Sequence, residues 1–140
     1  MYKKQLLKVG TSKKSKATAG LVIGLLMVGS VAGAVSAGNI SDTSYQYNST
    51  GEGFATVTRD KTDYTSAYIF HYGIDSANVQ VRNGGVNYSA NGGSYWVEAG
   101  SRAYLPNYVK ENGLNNCYLY ITPFSGESCY MYGVWSPDSI

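Results

Sequence analysis

The sequence predicts an all-β fold: a small antiparallel β-sandwich (or barrel) of about seven or eight short strands, preceded by an N-terminal signal helix. Three observations predict it. Several short runs read as strands: Asn78–Arg82 alternates polar and apolar residues with period two, and Ser66–Tyr72 is rich in aromatic and apolar residues. Gly- and Asn-rich turns separate them, among them Asn83-Gly-Gly85 and Asn91-Gly-Gly93. No segment beyond residue 37 sustains the 3.6-residue apolar period of an amphipathic helix.

Residues 1–37 read as a secretory signal peptide. Lys3, Lys4, Lys8, Lys13, Lys14 and Lys16 form a basic head, and Leu21–Val35 is uncharged and largely apolar. Val35-Ser36-Ala37 then puts small residues where a signal peptidase cuts, giving cleavage after Ala37. Ala34 is a second candidate cut. A membrane anchor needs about 20 strongly apolar residues, whereas this stretch is interrupted by Gly24, Gly29 and Gly33. The expected location is therefore secreted or cell-surface associated, with membrane contact only transient, through the signal peptide.

Residues 38–53 are polar and read as a flexible leader or a weak edge strand, and residues 54–140 as the β-sandwich domain. Phe54–Thr58 is a strand candidate, and Arg59–Asp63 a charged turn. Ser66–Tyr72 is a strand with Tyr68, Phe70 and Tyr72 on one face and Ala67, Ile69 and His71 on the other. The two Asn-Gly-Gly turns, whose central positions favour positive φ, predict a three-stranded meander through Asn78–Arg82, Val86–Tyr88 and Ser94–Glu98. Ser101–Leu105 is a further strand, and the polar stretch after Pro106 a loop or single helical turn.

Cys117-Tyr-Leu-Tyr-Ile121 and Cys129-Tyr-Met-Tyr132 alternate around a turn at Pro123–Gly126. They read as a hairpin in which Cys117 faces Cys129, and an isolated pair in an oxidising compartment reads as a disulfide. In that hairpin Tyr118, Tyr120, Tyr130 and Tyr132 share one face as a stripe.

Composition narrows the function. Beyond Ala37, five basic residues stand against nine acidic ones, a net charge of −4, so nucleic acid finds no basic patch. No catalytic motif is present. His71 is the only histidine, and zinc needs several nitrogen or sulfur donors. Asp60 with Asp63, or Asp42 with Glu52, lacks the alternating acids of a calcium loop. No metal site, cofactor or catalytic residue is expected. What stands out is aromatic content: thirteen of the fourteen tyrosines, both tryptophans and all three phenylalanines lie beyond residue 37. Tyrosine and tryptophan combine a large contact area with a polar tip. Tyr118, Tyr120, Tyr130, Tyr132, Trp96 and Trp135 are the candidate binding residues.

Leu105-Pro-Asn-Tyr-Val-Lys-Glu-Asn-Gly113 and the C-terminal Gly133-Val-Trp-Ser-Pro-Asp-Ser139 resemble a family of small secreted proteins of Gram-positive bacteria, catalogued as a domain of unknown function. The resemblance implies export and a bacterial source, and supplies no activity. The expected function is a non-enzymatic binding or interaction protein, with cell-wall glycan or another surface protein as partner. A bacteriocin-like secreted antimicrobial effector is the alternative, and an extracellular enzyme the third reading.

Overall fold

The computed structural model describes residues 38–140. The signal segment and its cleavage after Ala37 lie outside the described residues. Ten strands follow one another: β1 Thr43–Ser49, β2 Phe54–Ala55, β3 Arg59–Asp60, β4 Ala67–His71, β5 Ala77–Asn83, β6 Val86–Asn87, β7 Tyr95–Val97, β8 Ser101–Leu105, β9 Asn116–Pro123 and β10 Cys129–Ser136. Lys110–Asn112 adds one 3₁₀ turn, ended by Gly113 in the left-handed region at φ 77°.

All pairings are antiparallel and form two sheets of a β-sandwich. The front sheet has the order β1-β10-β4-β8. In the back sheet β9 and β5 are central; β2 and β3 pair with the free side of β9, and β6 and β7 with that of β5. Period-two alternation determines what enters the core. Ile69, Leu105, Met131 and Trp135 point inward from the front sheet, and Val79, Val81, Leu119 and Ile121 from the back; none of these eight retains exposed surface. Each fully buried aliphatic side chain of this size contributes about 1.5–3 kcal/mol.

Of the two readings of residues 38–53, the structure contains the edge strand, since β1 pairs with β10 along its whole length. The face assignment of Ser66–Tyr72 holds: Ala67, Ile69 and His71 are buried, while Tyr68, Phe70 and Tyr72 face outward. The charged turn is corrected at its start, because Arg59 and Asp60 pair with Cys117 and Asn116 as β3.

The meander is also corrected. The first Asn-Gly-Gly closes a hairpin, with Gly84 and Gly85 at φ 55° and 87° between paired Asn83 and Val86. The second does not start a third neighbouring strand. Residues 88–94 bulge out from the sheet edge, bridge to Asn107 through Ser89, and return as β7 to the same partner, β5. Asn91 holds the excursion locally, its side chain accepting from the Gly93 N–H and donating to the Ser94 carbonyl.

The cysteine hairpin is the largest correction. β9 belongs to the back sheet and β10 to the front, so residues 124–128 form an arch between layers. Cys117 lies near the start of β9, about 20 Å along the strand from Pro123 at ~3.3 Å per residue, whereas Cys129 opens β10 just past the arch. A disulfide requires Cα atoms within roughly 7 Å. Both thiols are free, Cys117 buried and Cys129 half-buried.

Candidate functional site

The outer face of the front sheet follows from register. Across β1, β10, β4 and β8, outward residues form rows: Asn48 and Tyr130; Gln46, Tyr132 and Tyr72; Ser44, Val134, Phe70 and Arg102; then Tyr68 and Tyr104, beside Ser136, which is buried. The aromatic members run diagonally through this grid, over ~20 Å if successive rows lie two residues apart. Ring centroids are 5.2 Å apart for Tyr130–Tyr132, 6.1 Å for Tyr132–Tyr72, 4.3 Å for Tyr72–Phe70 and 5.7 Å for Tyr68–Tyr104. The Arg102 guanidinium lies 5.1 Å over the Phe70 ring. Tyr104 is 56% exposed, Tyr72 and Tyr130 each 42% and Tyr132 37%. The Tyr130 hydroxyl donates to the Gln46 side chain at 2.8 Å, which fixes that ring.

At the Tyr68–Tyr104 end the stripe runs into a pocket of about 240 Å³. Asp42, Arg102, Tyr68 and Tyr104 line it, together with residues of the C-terminal segment. Burial pushes the Tyr68 hydroxyl pKa up; among its charged neighbours Arg102 pulls it down and Asp42 pushes it up. Asp42 and Arg102 thus line one pocket with this phenol.

The predicted binding residues separate. Tyr130 and Tyr132 belong to the front stripe. Tyr118 and Tyr120 are half-buried on the outer face of the back sheet, where Arg82 lies 4.1 Å over the Tyr120 ring and the Tyr118 hydroxyl accepts from the Gly85 N–H. The four therefore form no single stripe, because their strands lie in different layers. Trp96 is 55% exposed beside Phe124, also at the back sheet, with centroids 6.3 Å apart. Trp135 has no exposed surface and packs in the core, so it is corrected from a binding to a structural residue. Tyr68, Phe70, Tyr72, Tyr104, Arg102 and Asp42 are site residues that the sequence reading does not single out. Alternation put Phe70 and Tyr72 on one face with Tyr68, and only strand order shows that β10 and β8 extend that face. Among the described residues no three His, Cys, Asp or Glu side chains gather as a metal site.

A protein-family profile described as a protein of unknown function (DUF2712) matches residues 33–139. The chain belongs to the DUF2712 family. Neither the curated proteins nor the solved structures contain a significant match. In this DUF2712 chain the C-terminal run that carried the resemblance proves to be packing chemistry. Asp138 forms a fully buried ion pair with Lys61 at 2.8 Å, and Lys61 also donates to the carbonyls of Thr65 and Pro137. The other Asp138 carboxylate oxygen accepts from the Asn39 and Thr62 N–H groups and the Thr62 hydroxyl. Burial alone raises the Asp138 pKa, but Lys61 and these donors outweigh it and hold the carboxyl well below the usual carboxylate range. Gly133 is required because a Cβ there would lie 2.7 Å from the Tyr45 hydroxyl and would clash with the Phe70 carbonyl.

Proposed function

We propose that the domain is a non-enzymatic binding module, exported by its N-terminal signal, that holds a glycan by stacking sugar rings on the aromatic outer face of the front sheet. The observation that carries this reading is six aromatic side chains forming a diagonal band on a sheet face turned to solvent, where alternating sandwich strands ordinarily place polar residues. An exposed patch of this kind marks an interaction surface more reliably than scattered apolar residues do.

Tyrosine rings present an apolar face and a hydroxyl that can donate and accept. That pairing suits a sugar ring, with its apolar C–H face and rim of hydroxyls. Beyond residue 37 a net charge of −4, five basic residues against nine acidic, disfavours nucleic acid and polyphosphate as occupants. The open, sheet-borne face favours an extended chain over a small enclosed ligand.

Retention of the purified protein on insoluble cell-wall glycan tests the reading. Wild type should be retained, and Tyr72→Ala combined with Tyr132→Ala should reduce retention at least tenfold. Trp96→Ala, on the other sheet, should leave it unchanged. No retention of wild type, or equal loss with the back-sheet variant, contradicts the proposal.

A further inference from the structure

We infer that the pocket where the front-sheet stripe ends is a subsite for one uncharged sugar residue, with Asp42 accepting from and Arg102 donating to its hydroxyls between Tyr68 and Tyr104. This rests on the glycan reading and adds to it the class of sugar and the place where the chain is gripped by polar groups.

Four observations support it. The pocket is continuous with the stripe, because Tyr68 and Tyr104 belong to both. Its volume of about 240 Å³ falls below the ~300–1,000 Å³ of pockets that enclose drug-sized ligands, so it suits one ring and not several. Asp42 and Arg102 are exposed, and among the described residues neither side chain is hydrogen-bonded or ion-paired, whereas the nearby Asp138 is wholly engaged by Lys61, Thr62 and Asn39. Arg102 is also steered by its position over Phe70, so its donors project beside the stacked rings from a supported side chain.

Charge selects the ligand. A carboxylate acceptor beside a guanidinium donor matches a pair of hydroxyls, each of which both donates and accepts. A uronate or other acidic sugar would gain from Arg102 but be repelled by Asp42, and the domain's net negative charge adds to the repulsion. Phosphate-bearing polymers are disfavoured for the same reason. Stacking supplies contact area with little preference among rings, and the paired charges supply the discrimination.

The test is calorimetric titration of the protein with two soluble probes, an N-acetylglucosamine tetramer and a galacturonate tetramer. Wild type should bind the neutral probe at least tenfold more tightly than the acidic one. Asp42→Asn and Arg102→Gln should each weaken the neutral probe about tenfold without changing the thermal midpoint. Asp42→Asn should also narrow the gap between probes by relieving repulsion. Equal or tighter binding of the acidic probe overturns the inference. If Tyr132→Ala weakens the neutral probe while both pocket variants bind like wild type, the subsite fails and the stacking face survives. If wild type binds neither probe and is not retained on wall glycan, both fail.

Discussion

His71, the chain's single histidine, is held at both ring nitrogens without any exposed surface. Its Nε2 lies 2.7 Å from the Asp75 carbonyl, which can only accept, so Nε2 carries the proton. Nδ1 then accepts from the Tyr45 hydroxyl at 2.7 Å. Burial lowers the His71 pKa despite the carbonyl contact, so the folded protein keeps the ring neutral where the unfolded chain, near its ordinary value of about 6.5, takes up a proton. The contribution to stability is therefore complete above about pH 6.5 and declines as pH falls below it. Urea midpoints should be level from about pH 8 to 7 and fall towards pH 5; a midpoint rising across that interval contradicts the network. Asp138 acts lower on the scale. Its depressed pKa makes a contribution that is present above the ordinary carboxylate value and lost as pH falls below it. Replacing Asp138 by Ala leaves the Lys61 ammonium buried and unpaired, an expected loss of about 3–5 kcal/mol, whereas Lys61→Met with Asp138→Leu should cost less, its remaining loss coming from the Asn39 and Thr62 donors that Asp138 satisfies. Denaturation of the two variants checks this; equal losses would contradict a desolvated pair. The sequence marked Asp138 as part of a conspicuous run but offered no sign of Lys61, which lies 77 residues away and joins it only through the fold.

At the scale of elements, the decisive feature is the arch between β9 and β10. Both strands, their alternation and the turn residues between them were legible in the sequence. The layer each strand joins was not, because a five-residue connection rich in Gly and Ser can close a hairpin or cross between sheets. Sheet choice depends on partners elsewhere: β9 pairs with β5, and β10 with β1 and β4. The same ambiguity explains the excursion after β6, where an Asn-Gly-Gly turn serves a bulged edge and not a new strand. The arch has a chemical consequence. Burial pushes the Cys117 thiol up to about 12 and raises the Cys129 thiol as well, so neither is a ready thiolate. Thiol titration without reductant should find two reactive groups in denaturant. In the native protein half-buried Cys129 should react first, and Cys117 only on unfolding. A denatured, unreduced sample with no titratable thiol contradicts the arrangement of strands described here.

For the whole molecule, the two sheets divide the labour. Inward residues form a core stabilised at one end by the Lys61–Asp138 pair and locked across the front sheet by Tyr45 and His71. The outward face of that same sheet carries the aromatic band. The all-β class and the excess of tyrosine could be read from alternation and composition, since both depend on local pattern; which tyrosines face solvent could not, because that depends on which strands pair and what covers them. The site could not, because it is assembled from β10, β4 and β8, which are neighbours only in space. Chemical-shift mapping of the isotopically labelled protein on addition of soluble wall-glycan fragments tests whether the aromatic face holds glycan. Perturbed amides should cluster at Tyr68, Phe70, Tyr72, Arg102, Tyr104, Tyr130 and Tyr132, while those around Trp96, Tyr118 and Tyr120 stay in place. Perturbations confined to the back sheet, or none at saturating fragment, would contradict glycan binding at this face.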